Sequence, residues 1–118
     1  MKKSSVAYDE ELVERIRTCL AEQEGISVKM MFGGVVFLVH GNMAIGVNRS
    51  DLMIRIGKEL YEKVLVMDGI REMDFTGKPL KGFVYVDETA TSSDRDLEKW
   101  VMLAVDFSAS LPKKEKKN

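Results

Sequence analysis

Between Ser27 and Ile56 the chain holds several short apolar runs separated by turn residues, and this stretch is expected to be the heart of a sheet. Val35–Val39 and Met43–Val47 flank His40-Gly41-Asn42, where the Gly-Asn pair between two β-forming runs predicts a two-residue hairpin turn. Val28–Phe32, Val35–His40 and Met43–Asn48 are read as successive antiparallel strands, with Asn48-Arg49-Ser50-Asp51 as the next turn. Leu52-Met53-Ile54-Arg55-Ile56 alternates, placing Leu52, Ile54 and Ile56 on one face and Met53 with Arg55 on the other. Adjacent glycines at Gly33 and Gly34 mark a bend, or a place where something approaches the backbone closely.

The pattern changes period on both sides of this stretch. Asp9–Gln23 repeats Leu12, Val13, Ile16, Cys19 and Leu20 at helical spacing, with acidic residues in its first turn and Gly25 as the expected C-terminal cap. Lys58–Met67 is a second, shorter helix with Leu60, Tyr61, Val64 and Leu65 in one stripe. Met73-Asp74-Phe75 and Gly82–Val86 read as strands of a second hairpin around Thr76-Gly77-Lys78-Pro79. The last helix spans Asp94–Ser108, capped by Ser92 or Ser93, with Leu97, Trp100, Val101, Ala104 and Val105 facing inward. Strands that neighbour one another, rather than alternating with helices, predict an α+β two-layer sandwich. Its antiparallel sheet of five to six strands and three helices follow the order α-β-β-β-β-α-β-β-α.

A chain of 118 residues accommodates one domain, expected over residues 8–112 between a flexible N-terminus (1–7) and a disordered lysine-rich tail (113–118). The last six residues carry a net +3 and the whole chain −1, so residues 1–112 carry −4. An acidic body lacks the surplus of cations that drives binding to nucleic-acid backbone, although a local basic patch is compatible with it. One cysteine excludes an internal disulfide, no apolar run approaches the roughly 18 residues of a membrane span, and the start lacks a secretory pattern. A cytoplasmic protein that does not enter membranes is expected.

Catalytic chemistry finds little to use. The single histidine, His40, sits beside a hairpin turn with no serine or cysteine placed for activation, and Cys19 lies on an apolar helical stripe as a structural thiol. No metal-ligand spacing and no phosphate-binding glycine loop occurs, so no cofactor and no metal are expected. Met30, Met31, Met43 and Met53 suit a core. Yet Met53 and Arg55 point to a face the helices need not cover, where a partner or a second copy of the chain could dock.

The strings MMFGGVVFLVHGNMAIGV, DLMIRIG and MDFTGKPLKGFVYVD, in that order and flanked by helices, resemble the N-terminal domain of TfoX, also called Sxy, a family of bacterial regulators of natural competence. The resemblance covers roughly residues 8–112. It implies an α+β domain with an antiparallel sheet. It also implies regulators that carry a second, helical domain and act on transcription with the cyclic AMP receptor protein. The present chain stops after the first domain, so a stand-alone copy is expected.

The function expected on these grounds is a non-enzymatic interaction module acting on transcription through a protein partner. Its candidate contact residues are Phe32, Gly33 and Gly34 with Asp74, Phe75, Thr76, Lys78 and Lys81, because charges of both signs around an aromatic make a recognition patch. Two alternatives stand beside it: direct nucleic-acid binding through Lys78, Lys81 and the C-terminal lysines, and a small-molecule or enzymatic site near Gly33 and Gly34.

Overall fold

The structure, a computed structural model, describes residues 8–31, 33–74 and 77–114. Helix α1 (Glu10–Cys19) precedes strands β1 (Ile26–Met31), β2 (Gly34–Val39), β3 (Asn42–Asn48) and β4 (Asp51–Arg55). Helix α2 (Lys58–Leu65), strands β5 (Ile70–Asp74) and β6 (Pro79–Val86), and helix α3 (Asp94–Ala109) complete the order, with one 3-10 turn at Glu88–Ala90. The six strands form one sheet in the order β1-β2-β3-β4-β6-β5, and every neighbouring pair is antiparallel. The expected α+β class and element order are met, with six strands. Only the second hairpin departs from a simple meander: α2 carries the chain past the edge of β4 so that β6, not β5, pairs with it.

Local chemistry accounts for most boundaries. Asp9 caps α1, its carboxylate accepting from the Leu12 N–H at 3.1 Å, and Ser93 caps α3 by accepting from the Asp96 N–H at 3.0 Å. Helix α1 ends at Cys19, short of the expected Gln23, because the chain tightens there: the Leu20 N–H is shared between the carbonyls of Ile16 and Arg17, at 3.0 and 3.1 Å. Gly25 is therefore not the helix cap. It lies beyond the turn with φ +79°, and its carbonyl accepts from the His40 N–H at 2.8 Å.

The β2–β3 hairpin is present, but its turn is one residue earlier than expected. His40 and Gly41 are the two turn residues, both at positive φ (50° and 85°), and Val39 pairs with Asn42. Asn42 is thereby drawn into β3 and buried, where its side-chain amide donates to the Pro112 carbonyl at 2.9 Å. The Lys114 N–H donates to the His40 carbonyl at 2.8 Å, so the chain after α3 runs along this turn. The first strand begins at Ile26, two residues before the expected Val28, and its expected end, Phe32, lies outside the described residues. Strands β5 and β6 are longer than expected, starting at Ile70 and Pro79.

One face of the sheet meets the helices. Val35, Phe37 and Val39 of β2, Ile45 and Val47 of β3, Leu52 and Ile54 of β4, and Val84 and Val86 of β6 are buried there with Ile16 of α1, Val64 of α2 and Leu97, Val101 and Ala104 of α3. Helix α3 packs on β2, β3 and β4, α2 on β5 and β6, and α1 against α3. Trp100 of α3 is 3% exposed and its indole N–H donates to the Ala90 carbonyl at 3.1 Å, so a large apolar body is buried without orphaning its polar tip. Tyr61 of α2 is different: it is buried, its hydroxyl has no partner among the described residues, and burial first, with Glu72 and Glu62 adding to it, pushes its pKa up.

Two stability outcomes follow. Trp100→Ala is expected to cost about 3–5 kcal/mol, the usual loss for a large aromatic removed from a core, and a denaturation midpoint equal to the parent's would contradict its placement. Tyr61→Phe removes a buried hydroxyl that no group among the described residues satisfies, so denaturant titration should show a gain of about 1 kcal/mol; a clear loss would mean that the hydroxyl has a partner in solution.

Candidate functional site

The second face of the sheet carries no helix among the described residues. Register puts Met53 of β4 opposite Tyr85 of β6, Val36 of β2 opposite Gly46 of β3, and Leu38 of β2 opposite Met43 of β3, all on this side. Even so, Val36 is only 4% exposed, Met53 7% and Met73 7%. Their cover comes from the sheet itself. Met31 of the edge strand β1, Met73 of the opposite edge strand β5 and Leu80 of β6 beside it line one cavity, so the sheet curls until its two sides face each other across a groove of about 140 Å³.

Met31, Val36, Met43, Met53, Met73, Leu80 and Tyr85 give this groove an almost wholly apolar lining. Gly46 lies beneath it. The Met53 methyl stands about 3.0 Å from where a β-carbon at Gly46 would be, so glycine leaves the space that the methionine end fills. Asn48 and Asp51 form the polar rim. Asp51 accepts from Arg71 at 3.2 Å, Arg71 also donates to Asp87 at 2.6 Å, and its guanidinium lies 5.0 Å from the centre of the Tyr85 ring. These side chains are about half exposed, so the contacts add little stability and serve mainly to hold Tyr85 and Asp51 in position. The bond to Asp87 is also the main reason the Arg71 pKa is raised.

Such a groove offers shape and apolar area, with no nucleophile–base pair to do chemistry. Among the described residues no group of three or more His, Cys, Asp or Glu side chains could hold a metal. His40 is structural: it forms the β2–β3 turn, and its imidazole occupies the space a side chain at Gly25 would need. Cys19 is half-buried rather than sealed in the core, and burial first, then Glu98 and Asp94 against the lowering effect of Arg15, raises its pKa. It is a poor nucleophile at neutral pH.

The residues singled out in the sequence divide among different places. Gly33, at φ +76°, is exposed in the β1–β2 turn with open space beside it, whereas Gly34 is buried in β2, where a β-carbon would collide with the Val47 carbonyl. Gly34 is thus a packing requirement. Asp74 is exposed and pairs with Pro79 at the start of the second hairpin, and Lys78 is exposed in its turn. Lys81 is exposed and lines a separate cleft. Phe32, Phe75 and Thr76 lie outside the described residues. Register sets the two turns at opposite ends of the sheet, so Gly33 and Lys78 do not form one patch; their neighbours Met31 and Leu80 are what the curl unites. Of the groove residues, Met31, Met43 and Met53 are weighed in the sequence as core methionines, whereas Val36, Leu80 and Tyr85 are not singled out; the one usable signal is the alternation that sends Met53 away from Leu52 and Ile54.

A family model for the TfoX N-terminal domain matches residues 18–108. The chain belongs to the TfoX N-terminal domain family. The match begins near the end of α1 and closes near the end of α3, so the curled sheet and its groove lie wholly within the TfoX-type domain. No curated protein sequence and no solved structure matches the chain.

Because Gly34 is held against backbone rather than a movable side chain, Gly34→Ala should lower stability by about 1–3 kcal/mol. Chemical denaturation checks this, and an unchanged midpoint would return Gly34 to the list of contact residues.

Proposed function

We propose that this TfoX-type domain is a non-enzymatic interaction module of transcription regulation, and that a protein partner seats an apolar side chain in the methionine-lined groove. The carrying observation is the groove itself: an apolar concavity on a face that no helix covers among the described residues. Long, unbranched methionine side chains adapt to the shape of an incoming group, which suits recognition better than a branched lining would. Its volume fits one or two side chains rather than a metabolite, for which roughly 300 Å³ or more is usual. Polar groups at the rim, Asn48 and Asp51, are placed to fix the orientation of a backbone entering above the apolar floor.

The setting in transcription rests on the family resemblance, and a cytoplasmic location is proposed with it. No helix among the described residues is long and apolar enough to cross a membrane. Direct nucleic-acid binding has less support, because Lys78 and Lys81 do not line the groove.

A photo-crosslinking residue placed at Met43, compared with one at Lys63 on the exposed side of α2, tests the reading in the host cell. Crosslinks from position 43 to one protein partner, unaffected by nuclease and competed by unlabelled domain, are the expected result. Crosslinks only from position 63, capture that vanishes with nuclease, or crosslinks from position 43 solely to a second copy of the chain would each overturn it.

A further inference from the structure

A second cavity, of about 750 Å³, opens where the end of β4, the start of α2, the middle of β6 and the last turns of α3 converge. It shares no lining residue with the methionine groove. Three cations come to it from three elements: Arg55 from β4, Lys58 from α2 and Lys81 from β6. Two exposed carboxylates, Glu59 and Asp106, also line it, leaving a surplus of one positive charge.

Arg55 is the informative member. It is half-buried, its guanidinium lies 5.3 Å from the Phe83 ring centre and 5.7 Å from that of Phe107, and one Nη donates to the Met43 carbonyl at 3.3 Å. Two rings therefore hold the group in place while leaving hydrogen-bond donors over. Neither Arg55, Lys58 nor Lys81 forms an ion pair among the described residues, although a partly desolvated charge such as that of Arg55 ordinarily has one. The backbone keeps the cleft open: the Ile56 and Gly57 N–H groups both donate to the Gly82 carbonyl, at 2.8 and 3.1 Å, and a side chain at Gly57 would strike the Phe107 ring. Helix α2 also starts here without a side-chain cap, adding its positive end to the same side of the cleft.

We infer that this cleft binds a small phosphate monoester. Three cations on separate walls suit a dianion with three equivalent oxygens, and the fork of Arg55 can meet two of them at once. Leu60, Leu103 and Phe83 give the organic part an apolar wall. The volume falls within the roughly 300–1,000 Å³ of small-molecule sites.

The test is titration of the isotope-labelled full chain, followed by amide NMR, with phenyl phosphate, inorganic phosphate and phenol as probes. The expected result is saturable shifts at Gly57, Lys58 and Gly82 with phenyl phosphate, at least tenfold weaker binding of inorganic phosphate, and none of phenol. The double variant Lys58→Ala, Lys81→Ala, which alters only exposed side chains, should melt like the parent and bind phenyl phosphate at least tenfold more weakly. Shifts confined to Lys78, Lys113 and Lys114, inorganic phosphate binding as tightly as the ester, or full affinity in the double variant would overturn the assignment.

Discussion

Every residue of β2 is buried, yet among the described residues helices pack on one side of the sheet and not the other, and the rest of the architecture answers to that mismatch. Val35, Phe37 and Val39 go under the helices, which leaves Val36 and Leu38 to be removed from water by some other means. A flat sheet would expose them. The sheet curls instead, and Met31 of β1 and Leu80 of β6 come to line one groove with Val36. Curling requires small residues where the bend brings backbone and side chains together, which is the role of Gly34 against the Val47 carbonyl and of Gly46 under Met53.

From this one device come two regions of opposite chemistry. The curled face ends as a narrow apolar groove with methionines for walls, suited to a protein side chain and to nothing that needs an ion or a proton transfer. At the other end of β4 the same strand delivers Arg55 to a wide cleft, where two phenylalanines support it and two lysines stand nearby. Met53 and Arg55 are two residues apart on β4, yet Met53 lines the groove whereas Arg55, at the end of the strand, reaches the Phe107 ring of α3 and lines the cleft.

Much of this was legible in the residues. Alternation in Leu52–Ile56 separated Met53 from Leu52 and Ile54 correctly, although Arg55 at the strand end turns to Phe107 of α3, and helical periodicity put Trp100 in the core, because strict period in an amphipathic element reports directly on what it faces. The run GVVFLV could not do the same, since a strand apolar on both sides carries no alternation to read. Turn placement was off by one at His40, because Gly41 could serve as either the first or the second turn residue and only the pairing of Val39 with Asn42 decides. The helix end at Cys19 was hidden because Leu20 continues the apolar stripe while its backbone has already tightened. Least legible was the site. Asp74, Lys78 and Lys81 are close in sequence, but the first two lie around the turn of the second hairpin while Lys81 lines the cleft, and nothing local in the chain announces that Met31 and Leu80 share a cavity.

Helices seal one face of the sheet while the other ends in an open, methionine-walled groove. Solvent paramagnetic relaxation of the methionine methyl groups in the monomeric chain measures this most directly. The account predicts strong broadening at Met30, which is 66% exposed, intermediate broadening at Met31 and Met43 on the groove walls, and little at Met53 and Met73 on its floor. Protection of Met31 and Met43 equal to that of Met53 would show that the face is already closed, and would contradict it.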